Sequence, residues 1–234
     1  MTQDAVGNSV DSAVQSRHSI RAFLPRPVAT ELINEILQLA SRAPSGTNLQ
    51  PWRVHVVTGD ARQRLVDSVC AAFDGQVGKP RDENPFVAEY DYYPKEFFGD
   101  YLARRRKVGF DLYALLGIGK GDQARMAAQH RRNFEFFDAP VGLIFSIDRR
   151  LGKGSWLDYG MFLQNVMLLA RARGLDTCPQ AAWIDYHSII EPQLGFAAEE
   201  QIVCGMALGY ADPDAVENTL VTERAGLDAI VVNH

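Results

Sequence analysis

Apolar residues recur at helical spacing in some stretches of the chain and run almost unbroken in others, and this change of period sets the expected elements. Residues 9–17 place Val10, Ala13 and Val14 on one helix face, after a small, polar opening (residues 1–8) that reads as a frayed terminus. A second helix follows Pro27. Thr30 is its expected cap, Glu31 suits the positive first turn, and Leu32, Ile33, Ile36, Leu37, Leu39 and Ala40 form its apolar stripe. Pro44 and Gly46 break that pattern. Residues 52–58 alternate as a strand does, and 60–72 return to helical spacing. The run APVGLIFSI at 139–147 predicts a central strand buried on both faces, and QIVCGMALGY at 201–210 a further core strand. Between them, 156–173 predicts a helix buried on most sides. Asp158 stands near its start, Arg171 and Arg173 near its end, and Gly174 takes the left-handed position beyond.

Residues 76–133 interrupt this order with aromatic and basic groups, among them Tyr90, Tyr92, Tyr93, Phe97, Phe98, Tyr101 and the run Arg104 to Lys107. The segment is too polar for a domain of its own and reads as a partly helical insert. The order of elements reads as an α+β or α/β sandwich, in one large domain or a compact two-lobed unit. Composition changes this picture little: 234 residues, 47% hydrophobic, 23% charged and a net charge of −5 describe an ordinary folded chain long enough for a sizeable core. The acidic balance supplies no field for nucleic acid, so Arg104 to Lys107 reads as a solvated helix face. No apolar stretch approaches the roughly 20 residues of a membrane span. The opening residues lack a signal-peptide pattern, and Cys70, Cys178 and Cys204 form no CxxC pair, so reduced thiols and a cytoplasmic location are expected.

Four clusters carry candidate chemistry. Arg17-His18-Ser19-Ile20-Arg21 gathers two guanidiniums, an imidazole and a hydroxyl in five positions, a set suited to phosphate or a polarised carbonyl, although a solvated basic turn has the same composition. Ala43-Pro44-Ser45-Gly46-Thr47-Asn48-Leu49-Gln50-Pro51-Trp52 offers hydroxyls, amides and close backbone approach at Gly46, but also has the composition of an ordinary turn. It is neither a Walker loop nor GxGxxG. Cys178-Pro179-Gln180-Ala181-Ala182-Trp183 follows the buried helix as a connection whose small residues admit a ligand to the backbone, with Trp183 as a possible wall. Arg224 is a late cation, solvated unless something anionic lies nearby. GxSxG and HExxH are both missing, the five histidines show no metal-ligand spacing, and Cys178 has no partner base to make it a nucleophile.

Taken in order, Arg17-His18-Ser19-x-Arg21, Ala43 to Trp52, Gly174-Leu175-x-x-Cys178-Pro179-Gln180, Gly209-Tyr210 and Glu223-Arg224 resemble the nitroreductase family of FMN-dependent oxidoreductases over nearly the whole chain. The insert and Asn133-Phe134-x-Phe136-Phe137-Asp138-Ala139-Pro140 resemble the subgroup acting on nitroaromatics such as nitrobenzoates. The resemblance implies a single domain of class α+β, a sandwich with a mixed central sheet flanked by helices, and an interlocked homodimer with FMN at the subunit interface. It implies that Arg17, Ser19 and Arg224, with His18 beside them, hold the phosphate and ribityl end, and that Arg21 meets the N1/O2 edge of the ring. Pro44, Ser45, Gly46 and Asn48 then come from the partner, and Pro179, Gln180, Ala181 and Ala182 lie along the ring toward N5. Gln164, taken to face inward from the long helix, is a further candidate. Thr222 stands where many members carry a second basic residue, and no mid-chain lysine is placed at N1/O2, which leaves that edge to Arg21.

The implied reaction is ping-pong: NADPH or NADH gives hydride to FMN N5, and a nitroaromatic then takes it, with nitroso and hydroxylamine products and no catalytic side chain. Tyr93, Arg104, Phe134 and Phe137 are the candidates for shaping substrate choice. Reduction of quinones, free flavin, enones or haloaromatics on the same scaffold is the alternative within enzymes. A flavin-binding regulatory module without turnover is the alternative outside them.

Overall fold

The computed structural model describes residues 3–234, with side chains from residue 9 onward except Arg81. The long apolar runs become the centre of one antiparallel sheet. Strand β2 (Val141–Asp148) is flanked by β1 (Arg53–Thr58) and β4 (Glu200–Gly209), and β3 (Asp176–Gln180) closes the far edge of β4. The parallel component is a one-residue bridge, Ser19 to Thr177, which lays the Arg17–Arg21 segment along the outer edge of β3.

Every residue of β2 from Val141 to Ile147 is buried, as the unbroken apolar run requires. Its alternate side chains feed two cores. Val141, Leu143, Phe145 and Ile147 pack against Ile33, Ile36 and Ala40 of α2 (Thr30–Ala40) and Tyr159, Phe162 and Val166 of α6 (Lys153–Arg171). Ile144 faces the other core, built by Leu65, Val66 and Val69 of α3 (Gly59–Asp74), Ile190 of α7 (His187–Leu194) and a group of aromatic side chains. In that group Phe136 and Trp183 stack at 4.3 Å and lie flat on the sheet. A Cβ at Gly142 or Gly205 would come within 2.4 Å of Phe136 or 2.3 Å of Trp183, so glycine in these strands makes room for the two rings. Trp183 is therefore core rather than a ligand wall.

The insert forms α4 (Gly99–Leu115) and α5 (Gln123–Arg131) after an irregular stretch. It is tied to the sheet at a β-bulge. Phe145 pairs with Cys204 and Ser146 with Ile202, so Val203 is the extra residue of β4, and its carbonyl accepts a hydrogen bond from the Tyr90 hydroxyl at 2.5 Å.

Several boundaries differ from the sequence reading. Helix α1 spans Gln3–Ser16, so all but Met1 and Thr2 of the expected frayed segment is helical, and those two lie outside the described residues. Ala29, not Thr30, occupies the cap position of α2, and Thr30 is its first helical residue. Asp158 sits inside α6 rather than at its start; its carboxylate accepts from the Gly46 N–H at 3.0 Å. Gly174 behaves as expected. At φ +72° it closes α6, with Leu175 N–H returning to Ala170 O and Gly174 N–H to Arg171 O, the paired bonds of a Schellman closure. No helix among the described residues is long and apolar enough to cross a membrane. All three cysteines are free and buried.

Candidate active site

The N-terminal cluster is pinned to β3 and to Asn218. Ile20 N–H bonds Thr177 O at 3.1 Å, and the Asn218 side chain accepts from the N–H groups of Arg21 (2.8 Å) and Ala22 (3.1 Å). The same amide donates to Ala22 O at 2.8 Å and Asp212 O at 2.9 Å, so one side chain fixes the turn through four bonds. The His18 ring spans Ser16 O and Asn218 O, each 3.0 Å away, and serves this scaffold from the side. Nothing in the sequence marks Asn218, because its partners are backbone groups, those of Arg21 and Ala22 nearly 200 positions away.

Ser19 reaches the Cys178 thiol, and Arg21 and Arg17 both bear on it electrostatically. Burial pushes that thiol up to about 11 in spite of these neighbours, so Cys178 is an inert packing group. Burial and the nearby charge of Arg224 lower the pKa of Arg17. Arg224 is held by Thr222, whose carbonyl and hydroxyl accept from its Nη1 at 2.9 and 2.7 Å. Among the described residues none of Arg17, Arg21 and Arg224 pairs with a carboxylate, whereas Arg53, Arg132, Arg149, Arg171 and Arg173 all do. Guanidiniums gathered without a counter-charge, two of them close enough to repel, form a seat for an anion.

Two residues along β3 the edge turns into a cleft of about 830 Å³. Pro179, Gln180, Ala181 and Ala182 form one wall, and the insert from Asn84 to Phe97, with Tyr93 and Arg105, forms the other. The Gln180 side chain is spent internally, donating to Asn133 O at 2.6 Å and accepting from Trp183 Nε1 at 3.3 Å, so this wall offers backbone and small side chains. His130, Asn133 and Asp185 also reach the cleft, where burial lowers the His130 pKa against the pull of Asp185. At about 3.3 Å per residue, the path from Thr177 beside the arginines to Ala181 in the cleft is on the order of 13 Å. An elongated molecule with an anionic tail and a flat head matches that span.

The remaining candidates fall elsewhere. Pro44, Ser45, Gly46 and Asn48 form an exposed loop with Thr47 (φ 50°) and Asn48 (φ 62°) in the left-handed region. Asp158 anchors that loop near one end of α6, whereas Arg171 near the other end bonds Ser16, the neighbour of Arg17. The two anchors stand thirteen positions apart on the helix, about 20 Å at 1.5 Å per residue. Gln164 faces outward, on the same side of α6 as Leu157 (72% exposed) and Met161, so the inward orientation is corrected. The reason is that an all-round apolar helix does not declare which face its own chain covers. Arg104 lies over the Tyr101 ring and lines, with Arg105 and Arg224, a smaller depression that shares Arg105 with the cleft holding Tyr93. Phe134 and Phe137 are 1% and 2% exposed and packed in the α3–α7 core.

The nitroreductase family model matches residues 14–210. The chain is 45% identical to a 4-nitrobenzoate reductase of Pseudomonas putida over 92% of this chain and 90% of that one. It is 49% identical to a protein named NADH dehydrogenase from Thermus thermophilus, covering 94% of each. The crystal structure of the FMN- and NADPH-dependent nitroreductase NfnB from a Sphigopyxis strain superposes with a TM-score of 0.89 at 39% identity, over 96% of this chain and 98% of that one. The matched segment runs from the arginine cluster through the cleft wall to the end of β4, and on this ground the chain belongs to the nitroreductase family.

Proposed function

We propose that the protein is an FMN-dependent NAD(P)H oxidoreductase that reduces nitroaromatic compounds. The observation that carries this reading is the carboxylate-free set Arg17, Arg21 and Arg224 at one end of the β3 edge, continuous with the small-residue wall Pro179–Ala182 at the other. That arrangement suits a dianionic phosphate joined to a flat ring. When bound, FMN supplies the hydride-accepting and hydride-donating centre, so the chain needs to bind, orient and match charge rather than activate a nucleophile.

Arg17, Ser19 and Arg224 hold the phosphate end, and His18 keeps their backbone in place through its two carbonyl contacts. Arg21, with Nη1 on Ser19 O at 3.2 Å, brings positive charge to the N1/O2 edge. Pro179, Gln180, Ala181 and Ala182 line the ring through backbone and small side chains. Tyr93, 57% exposed in the cleft wall, is the aromatic surface on which a nitroarene ring stacks. Donor and acceptor use the cleft in turn, which gives ping-pong kinetics with NADPH or NADH as donor. The nitroso and hydroxylamine levels are the products.

One chain does not complete this site. Pro44, Ser45, Gly46 and Asn48 are anchored at the Asp158 end of α6 and the Arg17 segment at its Arg171 end, about 20 Å apart along the helix, so the loop serves the site of a second copy, with Gln164 on the exposed face between. Val10, Val14, Leu157 and Met161, together with Val221, Leu227, Ile230 and Val232 of the irregular tail, leave apolar surface uncovered on the single chain. An intimate homodimer with FMN at the interface accounts for both features. The cytoplasm, where NAD(P)H is held, is the compartment this reading requires.

An anaerobic spectral titration tests it. Flavin bands that bleach with NADPH or NADH and return with 4-nitrobenzoate support both half-reactions. Bands that bleach but return only with a quinone or free flavin favour the second reading, which the relative named NADH dehydrogenase keeps open. Bands that NAD(P)H leaves unchanged indicate a flavin-binding module without turnover.

A further inference from the structure

Away from the cleft floor, Glu89 of the insert meets His187 and Glu191 of α7, which stand four positions apart on one helix face. His187 Nδ1 lies 3.9 Å from Glu89 Oε2 and 3.5 Å from Glu191 Oε1, and all three atoms fall within 4.8 Å of one another. The three side chains are 17–25% exposed, but these atoms themselves are buried, and apart from one another they meet no hydrogen-bonding group. An orphaned acceptor is costly to bury, and three converging on one point form an arrangement to be explained. At 3.5 and 3.9 Å the separations lie at or beyond the outer limit of an N–H···O bond. They are close to the edge of a tetrahedron of zinc ligands, about 3.4 Å for bonds of 2.0–2.2 Å.

The donor set fits the same answer. One imidazole nitrogen and two carboxylate oxygens suit a borderline divalent cation better than Mg²⁺ or Ca²⁺, which favour all-oxygen shells. The second oxygen of Glu89 is already occupied by Arg149 Nη1 at 2.7 Å, which orients Oε2 toward the other two atoms. We propose that Glu89, His187 and Glu191, with water as the fourth donor, form a site for Zn²⁺ or a similar divalent transition metal, which staples the insert to α7. Glu89 stands between Ala88 and Tyr90, both in the cleft wall, so occupancy of the site fixes the wall opposite Pro179–Ala182.

The test uses the full-length protein with its flavin retained, stripped with EDTA and dialysed. Zn²⁺ is expected to bind at one equivalent per chain by calorimetry, to raise the thermal midpoint by several degrees and to slow proteolysis between residues 76 and 98, while Mg²⁺ does none of these. Co²⁺ is expected to give ligand-field absorption to the red of the flavin bands. His187→Ala and the near-isosteric Glu191→Gln should each weaken Zn²⁺ binding at least tenfold. If His187→Ala fails to fold, Glu191→Gln decides alone. Absence of saturable Zn²⁺ binding, or binding unchanged in Glu191→Gln, overturns the proposal and leaves the cluster as a polar contact of the insert with α7, neutralised by Arg149.

Discussion

Asn218 offers the sharpest test of how the arginine cluster is held. Replacing it with alanine removes two bonds accepted from Arg21 and Ala22 N–H and two donated to Ala22 and Asp212 carbonyls. At about 0.5–1.5 kcal/mol net for each bond, with water replacing part of the loss at this half-buried position, Asn218→Ala should cost about 2–3 kcal/mol of stability. The consequence for function is larger than that figure suggests. Ile20 N–H and the His18 ring still tether the segment, but the order that Asn218 now supplies must come from the ligand. If about 1.4–2.8 kcal/mol of it moves into the binding equilibrium, the FMN Kd rises on the order of 10- to 100-fold. Quenching of FMN fluorescence on titration of apoprotein measures the Kd, and urea unfolding of the same apoprotein measures stability. A variant that loses stability yet binds FMN within about twofold of the parent would refute the reasoning, because Asn218 would then be a fold residue alone.

Three further outcomes follow from the same geometry. Burial pushes the Glu200 carboxyl up, but Ala197 N–H, Ser146, His55 and Arg53 together hold it down at about 2 against an ordinary 4.5. Its folded-state pKa is depressed, so it stabilises the fold above pH 4.5 by about 3 kcal/mol, a contribution lost as pH falls from 4.5 toward 2. Urea midpoints across that window should therefore fall more steeply for the parent than for Glu200→Gln. Phe134→Ala should lower stability by about 3–5 kcal/mol, as deletion of a buried ring does. Tyr93→Ala should leave stability within about 0.5 kcal/mol and raise the KM for nitroarenes, and steady-state kinetics beside thermal melts separates the two roles.

How much of this was legible in the residues depends on whether a pattern reflects the chain's own packing. The β2 and β4 runs and the close of α6 at Gly174 were readable, because continuous apolar sequence and a left-handed glycine have few structural meanings. Strand β3 was not, since Asp-Thr-Cys-Pro-Gln shows no alternation. Its proline is tolerated because the strand lies at the sheet edge. Helix α7, short and carrying Pro192, was missed for a similar lack of signal. The arginine cluster was visible as composition, but its freedom from carboxylates is a fact of three dimensions. Phe134 and Phe137 misled because aromatic residues near a motif are as often core as surface. Gln164 misled because the partnerless face of α6 is as apolar as the buried one.

The central claim is that one site draws on opposite ends of α6 in two copies. A mixed dimer of Arg21→Ala and Gly46→Trp chains tests it directly. A Cβ at Gly46 meets only Asp158 Oδ2 at 3.8 Å, so the chain itself accommodates a side chain there while an indole blocks the partner's ring site. Each variant alone should fail to retain FMN. Refolded together at equal amounts, they should recover about one quarter of the parent's bound flavin and activity, because random pairing puts both lesions in one site of half the dimers and leaves the other site intact. No recovery in a mixture shown to contain the hybrid dimer would place both residues in a site built by a single chain and contradict the account.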